Sequence, residues 1–453
     1  MKNRILVVDD EIDFLESVRR GLITSGFKGI QTESDPQQAL AAVENGIPFE
    51  VALIDITMPG IDGVQLLEAI KKCQPQIECI MITALDEART AVNCLKKGAY
   101  DYLVKPVSKE NLILSIQRAL ERKRLLDILN IGKIKSIPEL KNPTAFAPIV
   151  THNEQMARIL KIAELHATSD APVLITGETG TGKELMSQAI HAASDRCHRQ
   201  FKAINMDAIT DTLFDAEFFG HTKGAFTGAE KDRTGYLEST HKGTLFLDEI
   251  GSLVPTLQGK LLRVLQSGEF IKIGTSEPRK VDLRIIAATN KELEKMMATD
   301  RFRKDLYYRL SGSWLHLPPL RERMDDVPLL IGFFLKAISG PDSPEIGEAA
   351  MDVLMAYDYP GNVRELKSIV RSAVSLAQGN PININCLPGH IRQRAKKYVQ
   401  QAQAQPVPTL AELEKTHIIK VYHMQDNNKA ESARVLGIGI NTLRRKLKAY
   451  GIK

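Results

Sequence analysis

The strongest constraint on the fold of this 453-residue chain is the string Gly177-Glu-Thr-Gly-Thr-Gly-Lys183. An apolar run over 171–176 leads into it, and a helix-compatible stretch follows. Glycines let successive backbone N–H groups curl round phosphates, and a helix N-terminus adds its positive end. Lys183 supplies a charge for the outer phosphates. Further on, Leu245-Phe-Leu-Asp248-Glu249 is a second apolar run, ending in two carboxylates suited to a metal ligand and a water-orienting base. The pair predicts a parallel α/β sheet with its strand ends gathered at a nucleotide. Between them lies Gly224-Ala-Phe-Thr-Gly-Ala229, neither catalytic in composition nor a good element former.

The length predicts about three domains. With 43% hydrophobic and 25% charged residues, each can bury an ordinary core. No run of about 18 apolar residues is present, so no membrane span is expected. Met1-Lys-Asn-Arg passes straight into the apolar run 5–8 without a leader pattern, which predicts a cytoplasmic protein. Cys73, Cys79, Cys94, Cys197 and Cys386 lack paired metal-ligand spacing and read as reduced thiols. The formal net charge of +5 hides a gradient: residues 1–120 sum to −4 and residues 405–453 to +5. An acidic front suits a metal or phosphoryl site, and a basic tail suits nucleic acid.

Over residues 1–120, apolar runs at 5–8, 51–54, 79–82 and 102–104 alternate with helical patterns at 14–23, 37–43, 64–71, 88–97 and 109–119. Such alternation predicts a doubly wound parallel sheet, whose ligands sit at the carboxyl ends of its strands. Those ends carry Asp9-Asp10-Glu11, Asp55, Thr83 and Lys105-Pro106 in order. Carboxylates converging on one edge repel unless a divalent cation lies between them, and Lys105 and the Thr83 hydroxyl could then hold a phosphoryl group on Asp55. This stretch resembles a bacterial response-regulator receiver domain, through Val-Val-Asp9-Asp10-Glu, Ile54-Asp55-Ile-Thr-Met-Pro-Gly60, Thr83-Ala84 and Tyr102-Leu-Val-Lys105-Pro106. The resemblance implies Asp55 as phosphoacceptor, with Asp10, Asp55 and the Thr57 carbonyl holding Mg²⁺ and Asp9 assisting. It further implies Thr83 and Lys105 as phosphoryl contacts, Tyr102 as an aromatic switch, and a sensor histidine kinase as donor.

Residues 109–133 continue as one charged helix whose Leu125, Leu126 and Leu129 predict a dimerising extension, before Pro138, Pro143 and Pro148 break it. Beyond, the hexapeptide at Gly224–Ala229, with Phe219-Gly-His221 before it, looks like the sigma-54-contacting loop of bacterial enhancer-binding proteins, the NtrC-like branch of AAA+ ATPases. Arg284-Ile-Ile-Ala-Ala-Thr-Asn290, Leu317-Pro-Pro-Leu-Arg-Glu-Arg323 and Tyr359-Pro-Gly-Asn-Val-Arg364 match the same branch. The resemblance implies ATP bound by Gly177, Glu178, Thr179, Gly180, Thr181, Gly182, Lys183 and Glu184, with Asn290 and Arg364 reading the nucleotide. Asp248 would serve Mg²⁺, Glu249 would polarise water, and Asn205 would restrain Glu249. Arg303 and Arg309 would enter a neighbouring subunit's site. Gly224, Ala225, Phe226, Thr227, Gly228 and Ala229 would touch sigma-54. Two positions depart from the pattern: Thr151-His-Asn153 replaces Gly-x-Ser, and Tyr359 stands where Trp is usual.

Residues 410–424, 428–436 and 441–450 read as three helices, with Gly437-Ile-Gly439 as the turn before the last. A basic third helix across a tight turn makes a helix-turn-helix. Asn441, Thr442 and Arg445 are candidates for the groove, and Arg444, Lys446 and Lys448 for phosphates.

The expected organisation is therefore a multidomain α/β chain. A receiver spans 1–120, a helical linker 121–145, and an AAA+ P-loop domain with helical lid 146–388. A flexible tether over 389–408 leads to an all-α helix-turn-helix domain over 409–453. The expected function is a two-component activator of sigma-54 RNA polymerase at enhancer DNA, a dimer when inactive and a ring of about six when active. Two alternatives are a DNA-binding regulator with a vestigial ATPase scaffold and a general AAA+ remodeller.

Overall fold

The computed structural model describes residues 4–84, 88–131, 138–226, 229–393, 409–425 and 427–452. Thr227 and Gly228, residues 132–133 of the linker helix and most of the tether lie outside the described residues. The chain forms two compact bodies, residues 1–343 with 358–371, and residues 344–357 with 372–453.

The first body opens with β1 (Arg4–Val8), α1 (Ile12–Thr24), β2 (Gly29–Glu33), α2 (Pro36–Glu44), β3 (Val51–Asp55), α3 (Gly63–Cys73), β4 (Glu78–Thr83), α4 (Ala88–Lys96) and β5 (Asp101–Val104). α5 (Lys109–Ile131) follows. The strands pair in the order β2-β1-β3-β4-β5, all parallel. Ile5 to Val8 and Val51 to Ile54 are buried throughout, the near-continuous apolar run that a sheet covered on both faces requires. Leu66, Leu67 and Ile70 of α3 cover one face, and Leu15, Leu22 and Ile116 cover the other. β2 had no counterpart in the sequence reading: its Gly-Ile-Gln-Thr-Glu run is half-buried at the sheet edge and carries little apolar signal.

α5 is one 23-residue helix. Its first half packs on the receiver sheet through Leu112, Ile116 and Ala119. Its second half reaches α7, where buried Arg124 hydrogen-bonds His166 Nδ1. Leu125, Leu126 and Leu129 remain exposed.

Next come α6 (Pro143–Phe146), α7 (Glu154–Ala167), β6 (Val173–Thr176), α8 (Lys183–Ala192), β7 (Phe201–Asn205) and α9 (Asp211–Phe218). The hairpin strands β8 (Gly220–His221) and β9 (Arg233–Thr234) precede α10 (Tyr236–Ser239), β10 (Thr244–Asp248) and α11 (Pro255–Ser267). A second hairpin, β11 (Glu269–Ile271) and β12 (Pro278–Lys280), leads to β13 (Arg284–Thr289), α12 (Leu293–Ala298), α13 (Lys304–Leu310), β14 (Ser313–His316) and α14 (Asp326–Ser339). The central sheet runs β14-β6-β13-β10-β7, again all parallel. Parallel register brings Thr176, Thr289 and Asp248 to one edge, each followed by the residues that make the site.

The chain then runs through α15 (Glu348–Met355) and α16 (Asn362–Ala377). The second body ends in α17 (Leu410–Met424), α18 (Lys429–Val435) and α19 (Ile440–Ala449), packed on Ile418, Tyr422, Ala433, Leu443 and Leu447. Thr409 and Glu412 form a capping box at α17, and Asn428 caps α18. Gly437 at φ 65 makes the turn before α19. Among the described residues no helix is long and apolar enough to cross a membrane. All five cysteines are free.

Candidate functional site

The phosphate loop leaves β6 with Gly177, Gly180 and Gly182 all at positive φ, a path closed to most side-chain-bearing residues. Lys183 opens α8 and turns back under the loop, its Nζ 2.9 Å from Gly177 O, 3.2 Å from Glu178 O and 3.7 Å from Glu249 Oε1. Burial lowers the Lys183 pKa, and the carboxylates of Glu249 and Asp248 oppose that without reversing it. Burial likewise raises the pKa of Asp248, whose Oδ1 accepts from Glu249 N at 3.1 Å. Glu249 sits in the left-handed region at φ 53, a strained geometry for a residue with a side chain. Its Oε2 accepts from Asn290 N at 3.1 Å, while Asn290 Nδ2 donates to Thr179 Oγ1 at 2.9 Å.

The structure thus brings Lys183, Asp248, Glu249, Asn290 and the loop together. It does not join Asn205 to Glu249: the Asn205 side chain accepts from Asp207 N at 2.8 Å, capping a short 3₁₀ turn. Asn290 is the partner of Glu249 instead. Glu184 is exposed on the first turn of α8. The Arg364 backbone N–H donates to Gly180 O, and its side chain acts electrostatically on Lys183 and Asp248. Arg303 pairs with Asp305, and Arg309 donates to Leu265 O, so neither turns toward this chain's own loop.

In the receiver, Lys105 Nζ lies 2.8 Å from Asp9 Oδ2, 3.0 Å from Asp55 Oδ1 and 3.3 Å from Glu11 Oε1. Burial would lower the Lys105 pKa, but the hydrogen bonds it donates to Asp9 and Asp55 outweigh that and hold it above the ordinary lysine range. Burial raises the pKa of Asp55 against Lys105 and the Thr57 N–H. Thr83 is fully buried beside it, and Tyr102 is half-buried two strands away in chain order. Asp10 is exposed at the rim. Among the described residues no three His, Cys, Asp or Glu side chains form a ready metal cage. The all-oxygen donors Asp10, Asp55 and the Thr57 carbonyl still fit Mg²⁺, which takes one or two carboxylates and keeps several waters.

The hexapeptide loop stands on the β8–β9 hairpin. Gly220 is obligatory there, since a Cβ would lie 2.5 Å from Arg233 O. Gly224 N donates to Ala229 O, closing the loop's neck, and Phe226 is 46% exposed with its ring edge-on to His221. Gly274, beyond β11, lets the second hairpin approach: a Cβ there would meet Ala225 Cβ at 2.8 Å. On α19, Asn441, Arg444, Arg445 and Lys448 are exposed and Thr442 is half-buried, whereas Lys446 pairs with Glu414 at 2.6 Å.

These features define a class: a carboxylate–lysine receiver joined to a P-loop sheet with a surface loop and a helix-turn-helix. Residues 5–117 match the response regulator receiver domain, 149–316 the sigma-54 interaction domain, 321–404 the AAA+ ATPase lid domain, and 409–450 the bacterial regulatory protein, Fis family. The chain is 39% identical to regulatory protein AtoC of Escherichia coli (strain K12), covering 99% of this chain and 98% of that one. It is 36% identical to the DNA-binding transcriptional regulator NtrC of Salmonella typhimurium, covering 99% of each. A crystal structure of NtrX from Brucella abortus matches with TM-score 0.52 and 33% identity, over 99% of this chain and all of that one. NtrX in complex with ATP matches at TM-score 0.50, with 33% identity and full coverage of both chains. The chain belongs to the NtrC-like family of sigma-54-dependent response regulators.

Sequence reasoning passed over two residues that grip the phosphate loop, Arg321 and Asn362, and a third, buried Arg323, which donates to Thr181 O. All three lie in quoted motifs, but no role followed from their spacing.

Proposed function

We propose that this protein is phosphorylated on Asp55 by a sensor histidine kinase, assembles into an ATP-hydrolysing ring, and opens sigma-54 RNA polymerase at promoters linked to its DNA site. The observation that carries this reading is the convergence of Lys183, Asp248, Glu249 and Asn290 at one sheet edge, in the body that also holds the receiver. Lys183 would bind the β- and γ-phosphates, and Glu249 would orient the attacking water. Mg²⁺ held by Asp248 would offset phosphate charge, as Mg²⁺ held by Asp10, Asp55 and the Thr57 carbonyl would in the receiver. Arg303 and Arg309 point away from their own loop, which suits them to stabilise γ-phosphoryl charge in a neighbouring subunit. Hydrolysis then depends on assembly, with about six subunits by family analogy.

Exposed Leu125, Leu126 and Leu129 would pair two inactive chains, and the Arg124–His166 contact would hold the receiver on the ATPase until phosphorylation. The loop around Phe226 would deliver the work of hydrolysis to sigma-54. α19 would enter the major groove of enhancer DNA, and that tether would raise the local concentration of activator at the promoter.

ATP turnover by the full chain, measured against its concentration with and without beryllofluoride on Asp55, tests the reading. A steep rise that starts at lower concentration with the phosphoryl mimic is expected. Turnover absent in both conditions would return the ATPase domain to a scaffold.

A further inference from the structure

Glu178 is an anion placed in a loop that has to receive the several negative charges of ATP. Left alone, its carboxylate would oppose phosphate binding by like-charge repulsion. Arg321 meets it with a two-pronged bridge, Nη1 to Oε2 at 2.9 Å and Nη2 to Oε1 at 2.7 Å. Asn362 adds a third bond, Nδ2 to Glu178 Oε2 at 3.1 Å. Asn362 is fully buried, and its remaining polar groups are also used: Nδ2 donates to Thr179 O at 3.1 Å, and Oδ1 accepts from Leu320 N at 2.7 Å. Its backbone stands at φ 53, a strained conformation held by these bonds.

The same segment takes hold of the next loop residue. Val363 N and Arg364 N donate to Gly180 O at 3.0 and 3.3 Å. A Cβ on Gly180 would lie 2.3 Å from Gly361 O, so only glycine permits this approach. The loop is therefore gripped at three successive residues, 178, 179 and 180, by Arg321 and by the turn that delivers Arg364.

We propose that Arg321 and Asn362 are positioning residues that clamp the phosphate loop through Glu178, neutralise its carboxylate, and thereby set the affinity for the nucleoside triphosphate. The inference rests on the reading of Gly177–Lys183 as the ATP site. An exposed ion pair by itself contributes little. Here the two-pronged geometry, the buried third partner and the anionic ligand make the charge of Glu178 matter to binding rather than to folding.

A double-mutant cycle on the full chain tests this, with titration of a non-hydrolysable ATP analogue and steady-state ATP turnover as readouts. Arg321→Ala should raise the Kd about five-fold, on the scale of one partly exposed charge pair. The KM should rise with it, while kcat at saturating ATP stays within about two-fold. Adding Arg321→Ala to Glu178→Gln should cost nothing beyond Glu178→Gln alone, because the two act as a unit. The same five-fold loss in the Glu178→Gln background would overturn the clamp. So would Arg321→Ala binding like wild type while Lys183→Ala binds nothing. A wild-type chain that binds no analogue would instead sink the assignment of the site, and the clamp with it.

Discussion

Lys105 and Lys183 occupy the same kind of position, at the carboxyl edge of a parallel sheet beside acidic residues, yet their charges are held in opposite ways. Lys105 has two buried carboxylates at 2.8 and 3.0 Å, and its pKa is raised. Lys183 donates to two neutral carbonyls, its nearest carboxylate is 3.7 Å away, and its pKa is lowered. The receiver lysine is thus compensated inside the protein, so the phosphoryl group proposed to arrive on Asp55 would have to rearrange an existing pair. The ATPase lysine is under-compensated, which makes it ready to accept an anion with little rearrangement.

The largest expected effect separates binding from chemistry at the second site. Lys183→Ala should weaken ATP binding by roughly 100-fold or more, whereas Glu249→Gln should keep binding and lose roughly 100-fold in turnover. If Lys183→Ala bound ATP normally, the contrast between the lysines would have no functional meaning. Comparable in size is the effect of Lys105→Ala on stability, since it leaves Asp9 and Asp55 uncompensated and should cost about 3 kcal/mol at neutral pH. The sign of its pH dependence follows from Asp55, whose pKa burial already raises. A carboxyl with a raised folded pKa favours the fold at low pH and disfavours it as pH climbs through that pKa. Thermal unfolding of the variant should therefore approach wild type as the pH is lowered, and a gap that stays constant would refute the account.

The smallest effect concerns a third basic group, held neutral. His166 lies between the guanidinium groups of Arg124 and Arg284, and burial first, then those two charges, push its pKa down to about 3. A histidine with a depressed folded pKa stabilises the fold above its unfolded value, near 6.5, and loses that contribution as pH falls toward 3. Lowering the pH from 7 to 5 should cost on the order of 1–2 kcal/mol at the α5–α7 contact. His166→Gln, which keeps a hydrogen-bond acceptor, should flatten that dependence in hydrogen exchange of α5. An unchanged pH dependence would mean that the imidazole already carries its proton.

Much of this was legible in the sequence because the site motifs follow buried strands, and both the apolar run and its terminal charge can be read locally. Asp9, Asp55, Lys105, Lys183, Asp248 and Glu249 all announce themselves that way. β2 did not, since an edge strand half in water needs no apolar run. Nor did the partners of Glu178, which lie 143 and 184 residues along the chain and are brought in only by the fold. Arg124 reads as one more charge on a solvated helix; its burial becomes intelligible once His166 and Glu121 are seen beside it. In this structure the Asn205 Oδ1 caps its own turn by accepting from Asp207 N, a local contact that its place in the motif did not announce.

The continuous α5 gives the molecule a counting rule. Each residue of an α-helix advances about 1.5 Å and turns about 100°, so the face that Leu112 and Ile116 fix on the receiver dictates the direction of Arg124 two turns later. A loop joining the same domains could gain or lose a residue without consequence. Here a single insertion between Leu120 and Arg124 would swing the guanidinium about a quarter-turn off His166, whereas seven added residues would nearly restore its heading two turns further out. The spacing between receiver and ATPase is therefore set in whole turns.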